Sequence, residues 1–120
     1  MVRNIPIKYI ESEILIELIE FTNKFDCIYV PWDFENNGNR GYFFINFVHP
    51  LHILLFYEKF EGRTWYNYDS KKICELNYAR FQGLKEINDN AKRYKGQKKP
   101  SYFPISDRLS NIVIPIVCFL

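Results

Sequence analysis

The 120 residues are 48% hydrophobic and 25% charged, which fits one compact domain with a real core and excludes a disordered or fibrous segment. A net charge of +2 is too small for salt-driven coating of DNA, while an aromatic content of 18% exceeds what a core of this size needs, so some rings are expected to meet water or a ligand. Cys27, Cys74 and Cys118 are widely spaced with no C-x-x-C pair, which predicts reduced thiols in an intracellular protein rather than a disulfide framework. The apolar stretch from Ile14 to Phe21 is broken by Glu17 and Glu20 and lacks the basic start of a signal peptide. The apolar run from Asn111 to Leu120 contains Pro115 and falls short of the roughly 20 residues of a spanning helix, so no membrane partner is expected.

In chain order, Val2 to Ile5 reads as a short strand ended by Pro6, and Ile14, Leu15, Leu18, Ile19 and Phe21 then recur at helical spacing. Cys27 to Phe34 is rich in β-branched and aromatic residues and reads as a second strand, closed by the turn-forming cluster Glu35 to Asn39. Arg40 to Phe47 is a third strand. Pro50 opens a second helical run through Leu51, Leu54 and Leu55 that Gly62 ends, and Ile73 to Ala79 gives a fourth strand. The order β-α-β-β-α-β is that of the α+β, ferredoxin-like fold, whose right-handed crossovers put both helices on one face of a four-stranded antiparallel sheet and leave the other face open. This core is expected over residues 1–83. Leu84, Ile87, Ala91 and Tyr94 then form one stripe, a C-terminal helix over 84–95 that packs on the domain or lies over the open face. Residues 96–120 form a basic then apolar tail. Within it, Ile112 to Phe119 has the composition of an added edge strand, which Pro115 tolerates only at an edge.

The octet Arg40-Gly41-Tyr42-Phe43-Phe44-Ile45-Asn46-Phe47 matches the RNP1 pattern K/R-G-F/Y-G/A-F-V-x-F/Y, with Ile45 for Val and Phe43 departing from Gly/Ala. Strand alternation points Arg40, Tyr42, Phe44 and Asn46 one way and Phe43, Ile45 and Phe47 into the helix-covered core. Two uncovered neighbouring rings are therefore expected, each offering a face on which an unpaired base stacks for about 1–3 kcal/mol, with Arg40 meeting a phosphate. On the first strand Met1 falls where the partner motif RNP2 usually has an aromatic, although Val2 to Ile5 fit the rest, and Arg3 joins the RNA-contacting set. On the second strand, inward Ile28, Val30, Trp32 and Phe34 leave Tyr29 outward to supply the missing ring or merely to face solvent. On the fourth, inward Cys74, Leu76 and Tyr78 leave Glu75 and Asn77 on the open face. Asn77 is the candidate base reader and Arg80 its neighbour at the strand exit. Lys92, Arg93, Lys95, Lys98 and Lys99 form a basic cluster suited to phosphates, to nuclear import or simply to solvent.

Residues 4–6, Lys8-Tyr9, the segment 41–47, Phe56-Tyr57-Glu58, residues 72–75, Tyr78-Ala79-Arg80 and Gln82-Gly83 resemble the C-terminal RNA-recognition motif of Mei-two-like proteins. The resemblance covers roughly Val2 to Gly83 and implies RNA binding by this domain in a nuclear or cytoplasmic regulator of meiosis or development that normally carries further motifs upstream. The chain departs from that family at Phe43, where Ala is usual, and at Ile10, where a helix-capping Thr is usual.

Catalysis is not expected. His49 and His52 lack a third ligand nearby in sequence, so no metal or other cofactor is expected, and Asp26, Asp33 and Glu35 have neither an oriented nucleophile nor a Gly-rich phosphate loop beside them. The alternative to RNA binding is a protein-interaction module that uses the sheet face or the apolar tail, including pairing of the tail with a second copy of the chain.

Overall fold

In the computed structural model, residues 1–93 and 98–105 are described. The elements are β1 (Val2–Arg3), α1 (Glu11–Glu17), a 3-10 turn (Ile19–Phe21), β2 (Phe25–Tyr29), β3 (Trp32–Asp33), β4 (Gly38–Asn39), β5 (Tyr42–Phe47), α2 (Pro50–Phe60), β6 (Glu75–Leu76), α3 (Gly83–Lys92) and β7 (Ser101–Tyr102). Strands β6-β1-β5-β2-β7 form one sheet in that order, and β3 and β4 form a separate two-stranded ribbon. The split βαβ order stands, with β7 added beside β2. That edge strand lies ahead of the Ile112 to Phe119 run, which is outside the described residues.

The helix-backed face holds the main core. Val2, Ile28 and Phe43 from the sheet meet Ile14, Leu18, Phe56 and Phe60 from the helices, all of them buried. Phe21 packs edge-on against Phe47, Phe56 and Phe60 with ring centroids 5.2–6.1 Å apart, the arrangement that aromatic quadrupoles favour. Phe43 is sealed within this layer at 1% exposure, so the ring that departs from the octet's Gly/Ala fills core volume. Pro50 at the start of α2 presets the helical backbone, and the N-cap His49 accepts the Leu51 N–H at 3.1 Å through Nδ1. Beyond α2, Gly62 takes a φ of +79° that glycine adopts without strain, and its N–H donates to the Cys74 carbonyl. At α1, Ile10 has no polar side chain to cap the helix, and the Glu13 carboxylate accepts the Ile10 N–H at 3.2 Å instead.

Several sequence-based boundaries give way to local chemistry. The second strand stops at Tyr29. The chain then turns so that Trp32–Asp33 pairs with Gly38–Asn39, which breaks the alternation that would have carried Phe34 inward, while Trp32 is buried. Phe34 is in fact 57% exposed at the ribbon, and Lys98 lies 4.5 Å from the centroid of the Trp32 ring. Asn39 pins this ribbon to the β1–α1 loop. Its buried amide donates to the carbonyls of Pro6 and Tyr9 at 2.8 and 2.9 Å, and its Oδ1 accepts the Gly41 N–H. Gly41, at φ +89°, then reorients the chain before β5 starts at Tyr42, so Arg40 precedes the strand rather than lying on it. The fourth strand shortens to Glu75–Leu76, with one further ladder step in which the Asn77 N–H donates to the Met1 carbonyl. Tyr78, expected inward, lies past the end of that ladder and is 81% exposed.

The loop from α2 to β6 is closed by an isolated antiparallel bridge between Thr64 and Ile73 and held to the rest of the domain by an internal polar network. The buried Glu17 carboxylate accepts from the Tyr9 hydroxyl, the Arg63 guanidinium and the Tyr66 N–H. The Trp65 indole N–H donates to the Asn4 carbonyl at 3.0 Å. These bonds tie the loop to β1 and α1 and satisfy a carboxylate that would otherwise be costly to bury.

Candidate nucleic-acid interface

The register of the sheet puts Arg3, Tyr29, Tyr42, Phe44 and Asn46 on one face, the one turned away from α1 and α2. Arg3 lies opposite Tyr42 on one side and Glu75 on the other, Tyr29 opposite Phe44, and Cys27 opposite both Asn46 and Tyr102. Tyr29, Phe44 and Tyr42 form a run of rings, with centroids 6.0 Å apart for the first pair and 5.6 Å for the second. Tyr29 lies on the far side of β5 from β1, so it lengthens the ring run away from Met1 rather than filling the position Met1 leaves without an aromatic, and Met1 itself packs against the same cluster.

The expectation of two uncovered rings fails for Phe44. Helix α3 crosses this face, and Ile87 and Ala91 close over Cys27, Tyr29 and Phe44, while Phe81, just ahead of the helix, approaches Phe44 to 4.6 Å. Phe44 keeps 7% of its surface and Tyr29 only 3%. The cause is the stripe Leu84, Ile87, Ala91, which loses apolar surface to water only by lying on the sheet. Tyr94, the fourth member of the stripe, lies outside the described residues. The helix is held at both ends. Gln82 and Glu86 bond at its start, and after its end β7 pairs with β2 while Phe103 packs on Phe25 at 5.4 Å.

The cover is incomplete. A cleft of about 300 Å3 remains between the sheet and α3, floored by Tyr29, Tyr42 and Phe44. Phe81 forms one wall, Asn90 of α3 another, and Pro31 and Arg40 the rim. Tyr42 is half-buried and is the ring of the three that still meets solvent. Among the described residues neither the Arg40 guanidinium nor the Asn90 amide has a hydrogen-bond or ion-pair partner. Asp33, near Arg40, is held below the usual carboxylate range mainly by the Asn36 amide, which donates to it at 2.7 Å. Burial pushes the Cys27 thiol, beneath α3, up to about 12.

The remaining sequence candidates divide. Arg3 Nη1 donates to Asn77 Oδ1 at 3.2 Å, forming an exposed polar pair beside Tyr42, and Arg80 is exposed at the exit of β6. Asn46 commits one of its two amide N–H donors to Asp26 Oδ1 at 2.8 Å and keeps the other donor and its carbonyl. Sequence reasoning missed Phe81, Asn90 and Pro31. The α3 stripe was the available signal for the first two, because a helix laid on the sheet brings its flanking residues to the rings. His49 and His52 contact each other ring to ring at 5.9 Å, and no cluster of three or more metal-ligating side chains occurs among the described residues.

A β-α-β-β-α-β sheet with Tyr42 to Phe47 as its third core strand has the architecture of the RNA-recognition-motif class. The family model for RNA recognition motif 2 matches residues 1–92, and the chain belongs to that family, which is one of RNA recognition and not of catalysis. It is 44% identical over 84 residues to Protein MEI2-like 2 of Oryza sativa subsp. japonica, covering 69% of this chain and 10% of that protein. It is likewise 46% identical over 85 residues to rice Protein MEI2-like 4, covering 69% and 8%, and 44% identical over 85 residues to Protein MEI2-like 5 of Arabidopsis thaliana, covering 69% and 10%. The chain therefore spans about a tenth of the length of these relatives. No helix among the described residues is long and apolar enough to cross a membrane.

Proposed function

We propose that the chain binds single-stranded RNA on the sheet face beside α3, with Tyr42 as the stacking ring and Phe44 and Tyr29 as its support. Arg40, Arg3 and Arg80 contact phosphates, and Asn77 and Asn46 bond bases or sugars along the same face. The observation that carries this reading is the cleft left open over Tyr42, rimmed by a guanidinium with no partner among the described residues. A stacking ring loses about 1–3 kcal/mol of affinity on truncation, so Tyr42→Ala should weaken binding of an unstructured oligoribonucleotide about 5- to 150-fold and leave the thermal melt nearly unchanged. An unchanged affinity would refute the assignment. We extend the reading to post-transcriptional control in a meiotic or developmental setting, in the nucleus or cytoplasm, on the resemblance to Mei-two-like regulators.

A second reading, a protein-interaction module, has one observation in its favour. A groove of about 390 Å3 between the sheet and α2 is lined by Ile45, Phe47, Leu54, Tyr57 and Tyr78. The apolar tail from Asn111 to Leu120, the other candidate surface for a protein partner or a second copy, lies outside the described residues. A partner held by the groove would be lost with Leu54→Asp and kept with Tyr42→Ala, the reverse of the pattern for RNA.

A further inference from the structure

We propose that α3 converts the sheet face from a platform for several bases into a slot for one unstacked base, whose edge is read by the Asn90 amide. The inference rests on the sheet face being the RNA site. An uncovered sheet of this class stacks two or three bases on its aromatics. Here Ile87, Ala91 and Phe81 take up the surfaces of Tyr29 and Phe44, and a base descending on Tyr42 enters a space bounded on the α3 side. That space, about 300 Å3, sits at the lower end of the roughly 300–1,000 Å3 of small-molecule sites, which suits one planar ring system and not a run of them.

The wall opposite the rim is polar. Asn90 lies in the last turn of α3, lines the cleft, and carries two amide donors and a carbonyl acceptor with no partner among the described residues. A donor beside an acceptor on one planar group matches the Hoogsteen edge of adenine, where the N6 donor sits next to the N7 acceptor, a pair that guanine, cytosine and uracil do not present on that edge. Arg40, at the mouth, is placed for the phosphate of the same nucleotide. The slot therefore favours an adenine that is free of its neighbours, as at a loop or in a flexible single strand.

The test uses the full chain and oligocytidine hosts carrying one central guest base, A, G, U or C, with affinity read by fluorescence anisotropy. The adenine guest should bind about tenfold more tightly than the others. Asn90→Ala should flatten that preference, and circular dichroism should show α3 retained. Two adjacent adenines should bind the parent chain no better than one beyond the statistical factor. Phe81→Ala, which widens the slot, should make the second adenine add affinity. A preference that survives Asn90→Ala, or a second adenine that adds as much as the first in the parent chain, would overturn the slot while leaving RNA binding intact. Failure of every oligomer to bind would overturn the slot and the RNA reading together.

Discussion

The two faces of one sheet are built to different standards. Behind it, Phe21, Phe43, Phe56 and Phe60 interlock with α1 and α2, elements that the topology cannot remove without unfolding the domain. In front, a smaller cluster of Cys27, Tyr29, Phe44, Ile87 and Ala91 is closed by a single helix that follows the core in sequence and leaves a cleft at its margin. Burial alone therefore does not mark a residue as structural. Phe43 and Phe44 are neighbours with similar exposure, yet one is enclosed by the fold and the other only by an appended element, so opening the front costs less than opening the back.

The strongest break in this comparison is Phe43→Ala, which should cost about 3–5 kcal/mol and lower the urea midpoint severely, whereas Phe44→Ala should cost less because Phe81 and α3 settle into the space. For the same reason Phe44→Ala is a poor probe of binding and Tyr42→Ala a clean one. A second blow at the back is Glu17→Gln, which removes the charge that accepts from Arg63 and should cost about 1.5–3 kcal/mol by urea denaturation with RNA affinity unchanged.

The buried thiols sharpen the contrast, one on each face. In a C118S background, Cys27 should label with a thiol reagent through release of α3, and Cys74 only through global unfolding, so mass spectrometry should find Cys27 modified first. Equal rates would mean that the two faces open together. Burial raises both thiols to about 12 in the folded chain against about 8.5 when unfolded. The folded state therefore holds its thiol protons more tightly. The resulting stability is fully present below about pH 8.5 and is lost as the pH climbs towards 12, so the thermal midpoint should fall with alkalinity, and less in a C27S variant. The smallest expected effect is electrostatic. Arg40→Ala should reduce the slope of log affinity against log salt by about 0.7, the share of one phosphate contact on a single strand.

Much of this was legible in sequence because it depends on local periodicity. The RNP1 octet and the strand alternation around it place Tyr42 and Phe44 on one face and Phe43 on the other, and Tyr29 falls beside Phe44 as its position in the second strand requires. The order of elements followed from Pro50, Gly62 and the turn residues after Phe34. What was not legible depends on encounters between distant segments. The stripe in α3 announces an apolar face but not its target, and only the sheet's exposed rings decide that. Phe34 and Tyr78 were misplaced because alternation holds only while pairing continues: the chain leaves the main sheet for the β3–β4 ribbon before Phe34, and the β6 ladder ends before Tyr78. The Glu17 network joins positions almost fifty residues apart, with no spacing signal to betray it.

The most direct test of the central claim is photocrosslinking of the intact chain to an oligoribonucleotide carrying a single photoreactive base, with the attachment sites mapped by mass spectrometry. Attachment is predicted at Tyr42, Phe81 and the end of α3 around Asn90. Attachment confined to α1, α2 or the groove beside Leu54 would contradict an RNA site beneath α3.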